Sequence, residues 1–245
     1  MKLALCLTLG LSALAGAAAA QDFGLSGDRQ FSVDLGLGVV GKSTYPGADD
    51  AEAQPWIIWK NASFGGTAKE GLSFGGSFGM VGSRDEDDDD ALIGMEEIDR
   101  AYEIGGKVSY RRGPVNSYVT LRRGFGGHEG LTGEVGAKYR TELSDRVTLW
   151  SGLELGYGDD EYNDTYFGVS SDEATAGRAA YSAGGGFNKA AITFEARYDL
   201  TENLAVLGEV EYGKLIGDAA DSPIVQDEYQ PALRLGIVRR FSFGF

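Results

Sequence analysis

Alternation of apolar and polar residues with period two runs through most of the chain, and it narrows the choice of fold more than any other feature. From Leu131 the odd positions read Leu131, Gly133, Val135, Ala137 and Tyr139, and the even ones Thr132, Glu134, Gly136, Lys138 and Arg140. Ile192, Phe194, Ala196, Tyr198 and Leu200 alternate in the same way with Thr193, Glu195, Arg197 and Asp199. Similar stretches begin at Phe31, Tyr102 and Val147, and another closes the chain from Leu233 to Phe245. Successive side chains of a strand point to opposite faces, so these segments are strands with one apolar and one polar face. Each is about ten residues long, enough to cross a bilayer when tilted.

A soluble β-sandwich alternates too. Two features favour a closed barrel in lipid. The polar face carries full charges (Glu134, Lys138, Arg140, Glu195, Arg197, Glu209, Glu211), which a lumen can pair and hydrate. Aromatic residues gather near strand ends as Trp56, Trp59, Tyr110, Tyr139, Tyr157, Tyr198 and Phe245, the placement of interfacial girdles. Composition agrees: 38 of 245 residues are glycine, with 12 Tyr and 12 Phe, which suits short strands and tight turns. A net charge of −15 argues against a nucleic-acid partner.

The first twenty residues read as a secretory signal peptide. Lys2 supplies the positive start, Leu3 to Leu14 the apolar stretch, and Ala18-Ala19-Ala20 the cleavage site before Gln21. The single cysteine, Cys6, lies inside that segment, so residues 21–245 hold no internal disulfide and no cysteine-based metal site. No later run is long and apolar enough for a membrane-spanning helix.

The strands can be counted by parity. Leu143-Ser144-Asp145-Arg146 and Leu200-Thr201-Glu202-Asn203 are similar short turns, so both belong at the periplasmic end, with an even number of strands between them. This reading gives twelve antiparallel strands: 31–42, 52–67, 71–82, 100–111, 115–124, 131–141, 146–158, 162–168, 178–187, 191–200, 203–213 and 228–245. Connections 43–51, 83–99 and 214–227 then face outward, and Ser170, Ser171, Asp172, Glu173 and Gly177 belong to a longer periplasmic turn. Pro55 inside the second strand calls for a bulge.

Three motifs suggest chemistry and are read down. Gly36 to Ser43 matches G-x-x-x-x-G-K-[ST], but the alternation continues through it and turn residues follow, so a phosphate cradle lacks its helix and no nucleotide is expected. Asp85, Asp87, Asp89 and Glu96 fit positions 1, 3, 5 and 12 of a calcium loop, but Asp90 stands where glycine is required. The run reads as a solvated acidic loop, with no metal assigned. His128 is the only histidine and hence the only candidate base for a serine hydrolase, yet no G-x-S-x-G accompanies it. No catalytic residue and no cofactor are expected.

Longer motifs resemble those of a known family. Tyr166-Phe167-Gly168-Val169-Ser170 with Glu173-Ala174 and Gly177, followed by Gly217-Asp218-Ala219-Ala220-Asp221-Ser222-Pro223-Ile224-Val225, is similar to the MipA/OmpV family of outer-membrane proteins. Leu35-Gly36-Leu37-Gly38-Val39 with Tyr45, Gly47 and Asp49, and the stretch Ile98-Asp99-Arg100-Ala101, agree in order and spacing, while the closing Phe241-Ser242-Phe243-Gly244-Phe245 resembles the terminal signal read by the barrel-assembly machinery. Departures are Tyr45-Pro46-Gly47 in place of a P-x-Y-x-G stretch and the added acidic run at 85–90. The resemblance implies an outer-membrane barrel, with outer-membrane lipid around it. It further implies a non-enzymatic scaffold that brings a lytic murein transglycosylase together with a murein polymerase. On this reading residues 170–177 are the docking turn. The alternative is a narrow passive pore for small solutes, lined by Glu134, Lys138, Arg140, Glu195 and Arg197.

Overall fold

The computed structural model describes residues 30–64 and 70–244. The expected signal peptide, residues 65–67 of the second expected strand, and Phe245 lie outside the described residues. Among the described residues ten strands form one antiparallel sheet: β1 (Gln30–Ser43), β2 (Ala51–Phe64), β3 (Gly71–Val81), β4 (Ala101–Arg112), β5 (Val115–Gly126), β6 (Leu131–Ser144), β7 (Val147–Gly158), β8 (Gly186–Thr201), β9 (Leu204–Leu215) and β10 (Tyr229–Gly244). The spatial order is β2-β1-β10-β9-β8-β7-β6-β5-β4-β3, so the first and last strands of the chain pair with each other. The sheet curls until β2 and β3 approach along a seam that carries no ladder among the described residues.

The decisive property is which face points where. Leu37, Phe74, Leu153 and Leu233 are 71%, 65%, 65% and 62% exposed, and large apolar residues on every strand share that outward direction. A water-soluble protein rarely exposes a contiguous apolar patch beyond a few hundred Å². Here the apolar face encircles the sheet, while the opposite face buries Asp34, Glu103, Thr193 and Arg197. A β-sandwich would have the reverse arrangement. The chain is therefore an inside-out barrel whose apolar face is matched to lipid.

Aromatic rings mark the edges of that band. Tyr157 stacks edge-on against Phe187 and Tyr212 lies over Tyr229 near the long-loop end, while Phe31 faces Phe243 near the other. On β4, Tyr102 and Tyr110 both point outward from opposite ends. Eight residues span about 27 Å along a strand, or about 20 Å along the membrane normal at a typical tilt, near the height of an outer-membrane apolar band. Trp56 departs from the girdle expectation: it turns inward and packs beside Ile58.

Two of the twelve expected strands are absent. Residues 162–168 lie largely in a helix, α1 (Asp160–Phe167), capped by the Asp159 side chain accepting from the Tyr162 amide at 2.9 Å. Asp160 and Glu161 occupy its first turn, where the helix dipole favours acid. Residues 178–185 make only an isolated bridge, Val169 with Tyr181, before β8 begins at Gly186. Two strands, β7 and β8, thus separate the turns at 145–146 and 202–203; the even parity holds with two strands rather than four. Pro55 also behaves differently from expectation. It stays in register opposite Val39, tolerated on a strand at the sheet edge, and the irregularity falls at Asn61, whose φ is 55°.

The two ends of the barrel are unlike. Short turns at 113–114, 145–146 and 202–203 share one end. Connections 44–50, 82–100, 127–130, 159–185 and 216–228 share the other.

Candidate functional site

The lumen is built from the inward residues of the strands, and it is crossed at successive levels. Near the short-turn end, Asp34 is only 1% exposed and accepts from Arg240 at 2.8 Å, Arg197 at 3.0 Å and Asn61 at 2.9 Å. The positive φ at Asn61 belongs to the β-bulge between the Ser32 and Asp34 register positions, and the bulge aims this amide at Asp34. Beyond it Ile58, Ala205, Leu207 and Val238 close an apolar constriction with Trp56. Lys60 spans from β2 to Glu195 on β8 at 2.6 Å and to Glu209 on β9 at 2.8 Å. Arg234 joins Glu209 and Glu211 at 2.6 and 2.9 Å, and Lys189 adds a second cation on Glu211. Toward the long loops, Arg122 holds Glu103 at 2.7 Å and Glu134 at 2.5 Å.

Buried ion pairs add little net stability over packed apolar groups, but losing one partner strands the other. Here Lys60, Arg197 and Lys138 tie non-adjacent strands together across the interior, while Arg122, Lys189, Arg234 and Arg240 pair with carboxylates on the neighbouring strands. The lumen is thus a cross-linked polar core, with cations and carboxylates interleaved.

Over the long-loop end the connections pack into a cap with apolar cores of its own. Tyr45, Ala48, Leu92, Met95, Val169 and Ile224 form one cluster, contributed by four different connections. Ile98, Tyr166, Phe167, Ala183, Leu215 and Ala219 form a second around α1. Polar contacts join the same connections: Tyr45 donates to the Ile224 carbonyl at 3.0 Å, Ser222 to that of Phe167 at 2.5 Å, and Arg178 to those of Ala91 and Ile93 at 2.6 and 3.1 Å. Burial, aided by the charges of Asp89 and Asp49, pushes the Tyr45 phenol up to about 12.

Glu134, Lys138, Glu195 and Arg197 all stand on the inner face, each in an ion pair. Arg140 shares their strand parity but sits at the open short-turn rim, 47% exposed and paired with Glu142. The structure therefore separates Arg140 from the other four. Ser170, Ser171, Asp172, Glu173 and Gly177 are not beside the short turns. They belong to the 159–185 connection at the opposite end, where Glu173 accepts the Glu96 and Ser170 amides, each at 2.8 Å. The displacement follows from α1, which takes up the segment expected to return the chain across the membrane.

The motifs read down in the sequence have structural uses. Gly36 to Ser43 lies wholly within β1. In the acidic run, Asp85 and Asp89 cap two short 3-10 turns by accepting from Asp87 and Ala91. Asp89 also lies near Asp49 and Asp50, a grouping of carboxylates that spacing within 85–96 did not reveal. The His128 side chain is fully buried, edge-on to Tyr162 and Tyr166 and 3.4 Å from Glu103. Sequence reasoning missed Lys60, Arg122, Arg234, Lys189 and Asp34 as lumen residues. Only the paired registers show that they converge.

The chain matches the family described as MltA-interacting protein MipA over residues 35–241. It is 27% identical over 155 residues to the outer membrane protein Omp26La of Vibrio anguillarum, covering 60% of this chain and 56% of that one. To the outer membrane protein OmpV of Vibrio cholerae it is 37% identical over 76 residues, 31% of this chain and 29% of that one. The chain thus spans about half the length, or less, of the curated relatives it matches. Among solved structures, an outer membrane channel from Pseudomonas putida F1 aligns over 89% of this chain and 97% of its own, at 12% identity and a TM-score of 0.44.

Proposed function

The chain belongs to the MipA family of outer-membrane barrel proteins, and from that premise we propose that it is a non-enzymatic scaffold for enzymes that build and remodel murein. The observation that supports this reading is the filled interior: ion pairs line the lumen from Asp34 to Arg122, those of Arg197 and Lys60 cross it, and a packed cap covers one end. Such a barrel offers surfaces more readily than passage. With short turns toward the periplasm and long loops outside, the segment 170–177 faces away from murein. The docking surface then becomes the short-turn rim, where the β6–β7 tip exposes Glu142, Leu143, Asp145 and Arg146 and the β8–β9 tip exposes Glu202 and Asn203. The partners on this reading are a lytic transglycosylase and a murein polymerase.

Affinity capture from envelope extract tests this. Wild-type protein and an Asp172→Ala variant are expected to retain a lytic transglycosylase, and a Leu143→Ser/Arg146→Glu variant to lose it. Failure of the wild type to capture any murein enzyme removes the scaffold reading. One observation favours the passive pore as a second reading: a cavity of about 340 Å³ remains in the upper lumen among charged residues. Planar-bilayer recording decides, since a steady current altered by Glu195→Ala would establish the pore.

A further inference from the structure

The 340 Å³ chamber lies between the charged lumen and the cap, and its wall is unusual in two independent ways. First, buried polar atoms without partners collect on it. The Arg84 Nε, the Thr44 hydroxyl and the Tyr166 hydroxyl all lack hydrogen-bond partners, and all three residues line this chamber. Arg84 is 4% exposed and Tyr166 1%. Buried polar groups are almost always satisfied, so a convergence of three around one space marks that space as holding polar matter.

Second, the cations outnumber the carboxylates that answer them. Arg122 is matched by Glu103 and Glu134, Arg234 by Glu209 and Glu211, and Lys189 by the same Glu211. Lys42 and Arg84 also line the chamber, and neither has a carboxylate within ion-pair distance among the described residues. Glu52, opposite Lys42 in the ladder, is engaged by Gln54 instead. Glu173 lends Arg84 a favourable field, but its oxygens are occupied by the Glu96 and Ser170 amides. Arg84 spends one nitrogen on the Tyr166 carbonyl at 3.1 Å, an uncharged partner.

We propose that this chamber binds a small hydroxyl-bearing carboxylate or phosphate, its oxyanion held between Lys42 and Arg84 and its hydroxyls met by Thr44 and Tyr166. Arginine offers a carboxylate or phosphate several donors in one plane, and a desolvated site strengthens each of them. The volume lies within the range of small-molecule sites. The inference is independent of the scaffold reading, because the chamber is internal and the docking rim is at the other end.

The test is calorimetric titration of the full-length protein in detergent with glucose 6-phosphate and with glucuronate. Glucose and glucosamine serve as uncharged and cationic controls. Saturable binding of at least one of the two anions, with no binding of either control, is expected. Lys42→Gln and Arg84→Met should each weaken it at least tenfold, while Lys214→Gln, on an exposed pair with Glu228, leaves it unchanged. Lys42 is only half-buried, so its variant keeps the test valid if Arg84→Met does not fold. The proposal is overturned by equal binding of glucose, by no saturable binding of either anion up to about 10 mM, or by a Lys42→Gln variant that folds and binds like wild type.

Discussion

Asp34→Asn is the sharpest probe of the cross-linked lumen. The substitution keeps side-chain volume but removes the charge on which Arg197, Arg240 and Asn61 converge. Stranding a buried charge by removing its partner costs about 3–5 kcal/mol. Two features lower the figure here. Arg240 is 40% exposed and regains water, and Arg197 keeps Asp199 at 2.7 Å. The expected loss is therefore about 2–3 kcal/mol. With a urea dependence of about 2 kcal/mol per molar, the unfolding midpoint falls by about 1–1.5 M. The assay is urea unfolding of the refolded barrel in detergent, followed by tryptophan fluorescence and by loss of the compact band in unheated gels. Arg140→Gln, on the exposed rim, is the control and should shift stability by no more than about 0.5 kcal/mol. If Asp34→Asn unfolds at the wild-type midpoint, the network does not brace the barrel.

Other predictions concern the cap and its junction with the lumen. A Cβ at Gly124 would lie 2.1–2.6 Å from atoms of the His128 ring, so Gly124→Ala should destabilise by about 1–3 kcal/mol; in Gly124→Ala/His128→Ala the two losses should sum to less than their separate values in the same urea assay. Burial alone would raise the Glu173 carboxyl, but the Glu96 and Ser170 amides and the Arg84 charge hold it below the usual carboxylate range. Its contribution to cap order is therefore present above that range and lost as pH falls through the lowered value. Hydrogen exchange at those two amides, corrected for intrinsic rates, should accelerate in acid, and Glu173→Gln should remove the dependence. Tyr45→Phe leaves the Ile224 carbonyl without its donor and should cost about 1 kcal/mol, while alkaline difference spectra of the wild type should show one phenol titrating near 12 that the variant lacks.

The period-two pattern was sufficient to place most strands, because alternation follows from strand geometry and needs no knowledge of neighbours. β6, β7 and β9 sit close to where the apolar and charged positions put them, and the inner direction of Glu134, Lys138, Glu195 and Arg197 follows from the same rule. The 162–168 segment reads as a strand from sequence because parity alone does not distinguish two intervening strands from four. The cues to its helix, Asp159 as cap and Tyr162, Asn163, Tyr166 and Phe167 on one face, are local and span only two turns.

What the sequence determined by itself, then, is a sheet with one greasy and one charged face. Which end 170–177 occupies, and which charges meet, was settled only by the tertiary structure. Lys60 reaches Glu195 across 135 residues and Arg197 reaches Asp34 across 163. Such pairings depend on curl and register summed over several strands, and a local pattern does not encode that sum. The same holds for the chamber: the Lys42–Thr44 stretch, Arg84 and Tyr166 lie far apart in the chain and line one space only when the cap folds over the lumen.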